Sequence, residues 1–267
     1  FNSTIRFSKR TDQFVMEVLV CIKRVILAGN TFTLNDDKTD VDTRHLGYTL
    51  SPHEESAVEA AVRLNEEFGG TTTLLTLGHV ESEEQIRSQM AIGPDRAILL
   101  ETDGSEWDPQ ATADALVNAI KNDGTQFDVI IFGSESADTA GYQTGIRVAH
   151  ALGLPVVTNV KGLSVANGVA RCERAVGTVR EIYEVPLPAV LTVKDGIAIP
   201  RYPSVPGRIK ARKKPMDVIS VSKPSAKLEK VSLELPPVKA KGATVLGSGP
   251  EAAEKIVEIF REIGVLS

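Results

Sequence analysis

Ile130-Ile131-Phe132-Gly133-Ser134-Glu135-Ser136-Ala137-Asp138-Thr139-Ala140-Gly141-Tyr142-Gln143-Thr144-Gly145 joins a strand-sized apolar run to a stretch of small and polar residues, and helical spacing then continues over residues 146–152. A short apolar run bounded by a turn reads as a buried strand. In an open parallel sheet, ligands bind beyond the carboxyl ends of the strands, and a helix start offers unpaired N–H groups and a positive dipole end to phosphate. Gly133, Gly141 and Gly145 let the backbone approach a ligand, while Ser134, Thr139, Gln143 and Thr144 supply hydrogen-bonding side chains. The spacing fits neither the phosphate loop ending in GK[ST] nor the GxGxxG fingerprint. From these residues alone, an ordinary capped loop and a nucleotide site are both open readings.

The same strand-then-helix rhythm extends upstream. Residues 18–22, 73–77, 97–100 and 128–132 read as strands, and residues 51–64, 83–91 and 110–120 read as helices between them. Ser51-Pro52 introduces the first helix, with glutamates in its first turn, and Gly69-Gly70 ends it. Repeated units of this kind require parallel pairing with helices on both faces. The expected fold is therefore α/β, an open and mostly parallel sheet. After about residue 154 the segments 156–160, 168–175, 179–184 and 189–193 follow one another without helices, which predicts an antiparallel appendage. Residues 223–242 carry prolines and little periodicity and read as an extended arm; an amphipathic helix over 250–263 follows, and the pair suits either a clasp on another subunit or docking on its own domain.

The 267 residues are 42% hydrophobic and 24% charged, a globular composition. Thirty basic against thirty-five acidic residues give a net charge of −5, which argues against a general nucleic-acid binder. Apolar runs are strand-sized, so no integral membrane segment is expected. Cys21 and Cys172 show no disulfide or zinc spacing. Residues 1–15 are polar and basic and read as an extension outside the fold, lacking the apolar middle of a secretory signal. The acidic balance and the missing transit pattern point to bacterial cytoplasm, or to the mitochondrial matrix in a eukaryote.

No catalytic constellation emerges. His45, His53, His79 and His150 form no ligand spacing and read as surface or loop residues, and no GxSxG, HExxH or carboxylate pair is found. The turn Val245-Leu246-Gly247-Ser248-Gly249-Pro250 imitates a dinucleotide turn but lacks a following strand, so it reads as a helix start. Residues 200–207, PRYPSVPG, form a proline-dense stretch expected not to be helical, running into Arg208, Lys210, Arg212, Lys213 and Lys214. That stretch reads as a solvated charge run or as a protruding loop that offers an apolar tip and a basic flank to an acidic partner; nucleic acid is a third reading, disfavoured by the scarcity of aromatics for stacking and the acidic balance of the chain.

From Met16 onward the chain resembles the beta subunits of electron-transfer flavoproteins. The likeness rests on VLVCIKRV at 18–25, SPxEExAVExAVRL at 51–64, Ile92-Gly93-Pro94-Asp95-Arg96, the 133–145 loop with its QTG, Leu187-Pro188-Ala189-Val190 and PRYPSVPGRIKARKK at 200–214. The resemblance implies an adenine-nucleotide alpha-hydrolase-like fold and a heterodimer with an alpha subunit that holds most of a redox FAD. It implies a carrier without its own catalytic residues, which takes electrons from acyl-CoA or other flavin dehydrogenases and delivers them to a quinone reductase or similar acceptor. The beta chain would bury a structural AMP at Cys21, Ser51, Pro52, His53, Glu54, Leu77 and residues 133–144 quoted above. Residues 200–210 would be a recognition loop, with Tyr202, Val205, Pro206 and Lys210 facing the partner and Val205 in place of the usual leucine anchor. Electron-splitting members hold a second FAD in place of AMP, with a loop close to DGDTAQVGP; this chain reads ADTAGYQTGI, which favours AMP with FAD as the rival. The family's acidic position in the later strands falls at or beside Ala175, so no flavin-tuning residue carries over. Residues 16–222 would form the nucleotide-binding domain and 223–267 the arm and helix that clasp the alpha subunit. Outside the family, an ATP-using hydrolase of this fold would need a phosphate-cleaving loop that is missing, and a stand-alone nucleotide-binding protein would form a homodimer.

Overall fold

The computed structural model describes residues 15–27, 29, 32–225, 228, 230–237 and 244–266. The extension expected over residues 1–15 lies outside the described residues apart from Val15. Strand β1 (Met16–Cys21) is followed by a small antiparallel pair, β2 (Val25–Ile26) and β3 (Tyr48–Thr49), and then by α1 (Pro52–Phe68). Next come β4 (Gly70–Gly78), a 3-10 turn at Val80–Ser82, α2 (Glu83–Met90), β5 (Arg96–Glu101), α3 (Pro109–Asp123), β6 (Val129–Gly133) and α4 (Thr144–Leu152). The second half holds β7 (Val156–Ala166), β8 (Val169–Val176), β9 (Val179–Pro186), β10 (Ala189–Val193), α5 (Val205–Ala211), β11 (Met216–Ser220) and α6 (Ala252–Glu262).

One nine-stranded sheet carries the order β11-β5-β4-β1-β6-β10-β7-β8-β9. Pairing is parallel from β11 through β7 and antiparallel from β7 to β9. Successive side chains of a strand face opposite sides, and β1 uses both. Val18 and Val20 pack with α1 and α2 through Val58, Ala61, Ile86 and Met90. Leu19 and Cys21 pack with α3 and α4 through Leu116, Val117, Val148 and Ala149. A strand apolar on both faces belongs inside a parallel sheet covered on both sides.

Two expectations are corrected. Segment 189–193 is not part of the antiparallel appendage: β10 inserts between β6 and β7, parallel to both, and every one of its residues is buried. Only β7, β8 and β9 form the antiparallel meander. Residues 200–207 are not wholly non-helical either, because α5 begins at Val205 with Pro206 in its first turn, where the missing N–H is not needed. Ser204 caps it, its hydroxyl accepting from Gly207 N at 3.1 Å. The arm over 223–242 falls partly outside the described residues; its described part touches the long β1–α1 connection, where Leu233 N donates to Lys38 O at 2.7 Å and Lys230 pairs with Asp40 at 3.4 Å. No residue of α6 is buried.

Candidate functional site

Strand β1 is flanked by β4, the next long strand in the chain, on one side and by β6 on the other, so the chain changes direction across the sheet between β1 and β6. A crevice at such a switch point is where open α/β sheets receive ligands. Cys21 and Phe132 are in register at the carboxyl ends of these two strands, and Gly133 follows. The start of α1 lies over this crevice. A Cβ added to Gly133 would sit 2.8 Å from Glu54 Cγ and 3.2 Å from both Glu54 N and His53 Cβ, so glycine is what lets the loop pass beneath the helix.

The loop is fastened to both elements. Ser51 Oγ accepts from Ala137 N at 2.9 Å, and the carboxylate of Glu54 accepts from Ser51 N at 3.3 Å. Lys23, two residues past β1, pairs with Asp138 at 2.6 Å. Burial alone would raise the Asp138 carboxyl, but the charge and hydrogen bond of Lys23 outweigh it and hold the group below the usual carboxylate range. Across the loop, Glu135 is held low by the Tyr142 hydroxyl and by His53, whose Nε2 lies 3.1 Å away. His53 Nδ1 accepts from Asp195 N at 2.7 Å, which puts the ring proton on Nε2, directed to Glu135. His53 is therefore a half-buried tie between α1, the loop and the turn after β10, and not the surface residue expected.

Ala140 and Tyr142 both take the left-handed backbone conformation, at φ 46° and 55°. The Ala140 N–H is used within the loop, donating to Ser136 O at 2.9 Å. Helix α4 then starts at Thr144 with no side-chain cap among the described residues, leaving its first N–H groups to other acceptors. Gln143 is held at the helix start by Arg147, whose Nη2 donates to its Oε1 at 2.8 Å. Gly145 fits closely, since a Cβ there would lie 2.8 Å from Thr192 Cγ2 and 3.2 Å from the Phe132 ring. By contrast, a Cβ on Gly141 would meet nothing within 4 Å, so its space is open.

Cys21, Ser51, Pro52, His53, Glu54 and residues 133–144 thus converge on one crevice, and Leu77 lies along its rim at the end of β4, half-buried. Sequence reasoning missed Lys23, Thr192 and Asp195. Lys23 had a signal, as a cation directly past a strand end. The other two were hidden by the misplacement of β10, whose carboxyl end forms the far wall: Ser134 N donates to Val193 O at 2.8 Å, and the Ser134 and Thr192 hydroxyls lie 3.4 Å apart.

Tyr202, Val205 and Lys210 stand elsewhere, around α5. Tyr202 is 92% and Val205 72% exposed, and Ile209 adds a further uncovered apolar side chain. A separate cleft of about 860 Å³ lies between α3 and β11; among the described residues its lining includes Asp114, Asp123 and Asp217 and no lysine or arginine, with Asp123 paired to Arg96 at 2.6 Å. Among the described residues, no cluster of His, Cys, Asp or Glu has the arrangement of a metal site, and no helix is long and apolar enough to cross a membrane.

A mostly parallel sheet with helices on both faces and a switch point between β1 and β6 defines the doubly wound α/β class. Residues 39–224 match the family model described as the electron transfer flavoprotein domain. The chain is 31% identical to "Electron transfer flavoprotein subunit beta" of Bacillus subtilis (strain 168), over 92% of this chain and 98% of that one. It is 32% identical to the protein of the same name from Syntrophomonas wolfei, over 91% and 95%, and 30% identical to that of Homo sapiens, over 93% and 98%. The chain belongs to the electron transfer flavoprotein beta-subunit family.

Proposed function

We propose that this chain is the beta subunit of a heterodimeric electron-transfer flavoprotein, a carrier subunit with no catalytic constellation of its own. It binds AMP structurally in the β1–β6 crevice, associates with an alpha subunit through its arm and α6, and docks acyl-CoA or other flavin dehydrogenases through the α5 segment. FAD, shared with and held mainly by the alpha subunit, supplies the redox chemistry, accepting electrons from the dehydrogenase and releasing them to a quinone reductase or similar acceptor. The observation that carries the AMP assignment is the convergence of the Gly133 loop and the uncapped start of α4 on the switch-point crevice.

The residues present fit an adenylate. The first N–H groups and the dipole of α4 favour a phosphate, and two carboxylates of the loop, Asp138 and Glu135, are already engaged by Lys23 and by His53 with Tyr142. Among the described residues, no group of His, Cys, Asp and Glu there has the arrangement of a metal site. Residues 16–222 act as the nucleotide-binding domain in this reading, and 223–267 as the clasp. The working location is the bacterial cytoplasm, or the mitochondrial matrix in a eukaryote.

The test is the chemical identity of the nucleotides released when the purified heterodimer is denatured. One FAD and one AMP per heterodimer are expected. Two FAD molecules without AMP would replace the AMP assignment with the electron-splitting one, and a colourless complex without nucleotide would end the carrier reading.

A further inference from the structure

The docking segment is held at both ends by charged side chains. At its start, Arg201 spans two carboxylates of α1. Its backbone N and Nε donate to Glu59 Oε2 at 3.2 and 2.9 Å, and its Nη2 donates to Glu59 Oε1 at 3.0 Å and to Glu66 Oε2 at 2.9 Å. Nη1 completes a second fork on Glu66. Glu59 is fully buried and also accepts from Arg63 Nε at 2.7 Å, while Arg63 Nη2 donates to Ile199 O at 3.2 Å. At the far end, Arg87 Nη1 donates to the carbonyls of Ala211 and Lys214 at 2.9 and 2.7 Å. Lys214 Nζ donates to the carbonyls of Met90, Gly93 and Pro94 at 2.9, 2.9 and 2.6 Å. Between these clamps Gly207 seats α5 against the end of α2, where an added Cβ would lie 2.6 Å from Ala91 O.

The large apolar side chains left uncovered between the clamps are Tyr202, Val205 and Ile209. A small apolar tip binds well only if its ordering cost has been met before the encounter, since every side chain or loop frozen on binding subtracts from affinity. A guanidinium can fork two carboxylates in fixed planes; an ammonium supplies charge without that geometry.

We propose that Arg201 is the positioning residue of the docking segment, its double fork on Glu59 and Glu66 holding residues 202–209 in the shape that a partner flavin dehydrogenase reads. The inference rests on the docking role given to this segment above. Arg201 touches no reacting atom. It acts through α1, the helix whose first turn also walls the β1–β6 crevice, so the docking tip and the nucleotide crevice share one rigid reference.

The experiment uses the full chain in complex with its alpha subunit, comparing wild type, Val205→Asp, Arg201→Lys and Glu66→Gln. Dehydrogenase turnover is measured with the carrier as varied substrate, and hydrogen exchange is followed peptide by peptide. For Arg201→Lys, KM for the carrier should rise about tenfold, equivalent to about 1.4 kcal/mol. The effect should fall on KM and not on kcat, exchange should quicken in 199–211 alone, and flavin and nucleotide content should stay at the wild-type level. Glu66→Gln, which loses one fork, should give a smaller change in the same direction. A KM insensitive to Val205→Asp would remove the docking role itself. A KM that responds to Val205→Asp and not to Arg201→Lys would overturn only the present inference, as would faster exchange spread over the whole domain.

Discussion

Glu54 sits in the first turn of α1, 6% exposed, and burial lifts its carboxyl to about 8 against the N–H groups of Lys23 and Ser51, which favour the charged form. The unfolded chain would titrate this group near 4.5, so between 4.5 and about 8 the folded chain holds the extra proton. Stability therefore falls as pH rises through that window, by an amount on the order of a few kcal/mol. Glu54→Gln keeps an acceptor for Ser51 N and cannot ionise. Melting temperature followed from pH 5 to 8 should decline in the wild type and much less in the variant; parallel curves would contradict the assignment. Cys21 beside it is kept as a thiol by burial first and by Glu54 second, which makes it a packing residue of the crevice wall and not a nucleophile. Glu59, farther along the same helix, goes the other way. Burial would raise it, but hydrogen bonds from Arg201 and Arg63 prevail and hold it low, so its contribution is lost on acidification through its folded-state pKa.

Among the elements, those with a strong local pattern could be read from the sequence. The helix over 51–64 extends to Phe68 in the structure and stops at Gly69, as the Gly69-Gly70 pair predicts. Asp108 opens α3 by accepting from Gln110 N and Ala111 N, both at 2.8 Å, ahead of Pro109 in the first turn. Strand β10 was misplaced because a short apolar run reveals burial but not its neighbours. Its complete burial distinguishes it from β9, whose Val179, Ile182 and Tyr183 are exposed. The start of α5 was misread because proline breaks a helix interior and is tolerated in the first turn, and nothing local tells the two apart. Within the site, loop residues with strand and helix flanks were legible. Contacts made by tertiary placement, such as Asp195 with His53 and Arg201 with Glu59, were not, since each joins positions far apart in the chain. The arm belongs at this scale as well. With α6 unburied and Val231 84% exposed, truncation after Lys223 should leave the melting temperature of the domain within a few degrees. It should weaken association with the alpha subunit by tenfold or more, about 1.4 kcal/mol at least. Collapse of the truncated domain in the same melting experiment would place the arm in the fold instead.

For the molecule as a whole, the order of one sheet arranges everything else. Placing β1 between β4 and β6 creates the crevice, and parallel β10 supplies its far wall. Helix α1 then runs from that crevice to the base of the α5 segment, connecting it to an exposed apolar tip with a basic flank. The α3–β11 cleft offers a rival location for a ligand, lined among the described residues by Asp114, Asp217 and the Arg96-paired Asp123. Photolabelling tests the central claim most directly. The heterodimer is loaded with 8-azido-AMP by nucleotide exchange, irradiated and digested, and the modified peptides are identified by mass. The account predicts label in residues 51–63 or 133–147, blocked by excess AMP. AMP-protected label in the α3–β11 cleft, or no AMP-protected label at all, would contradict it.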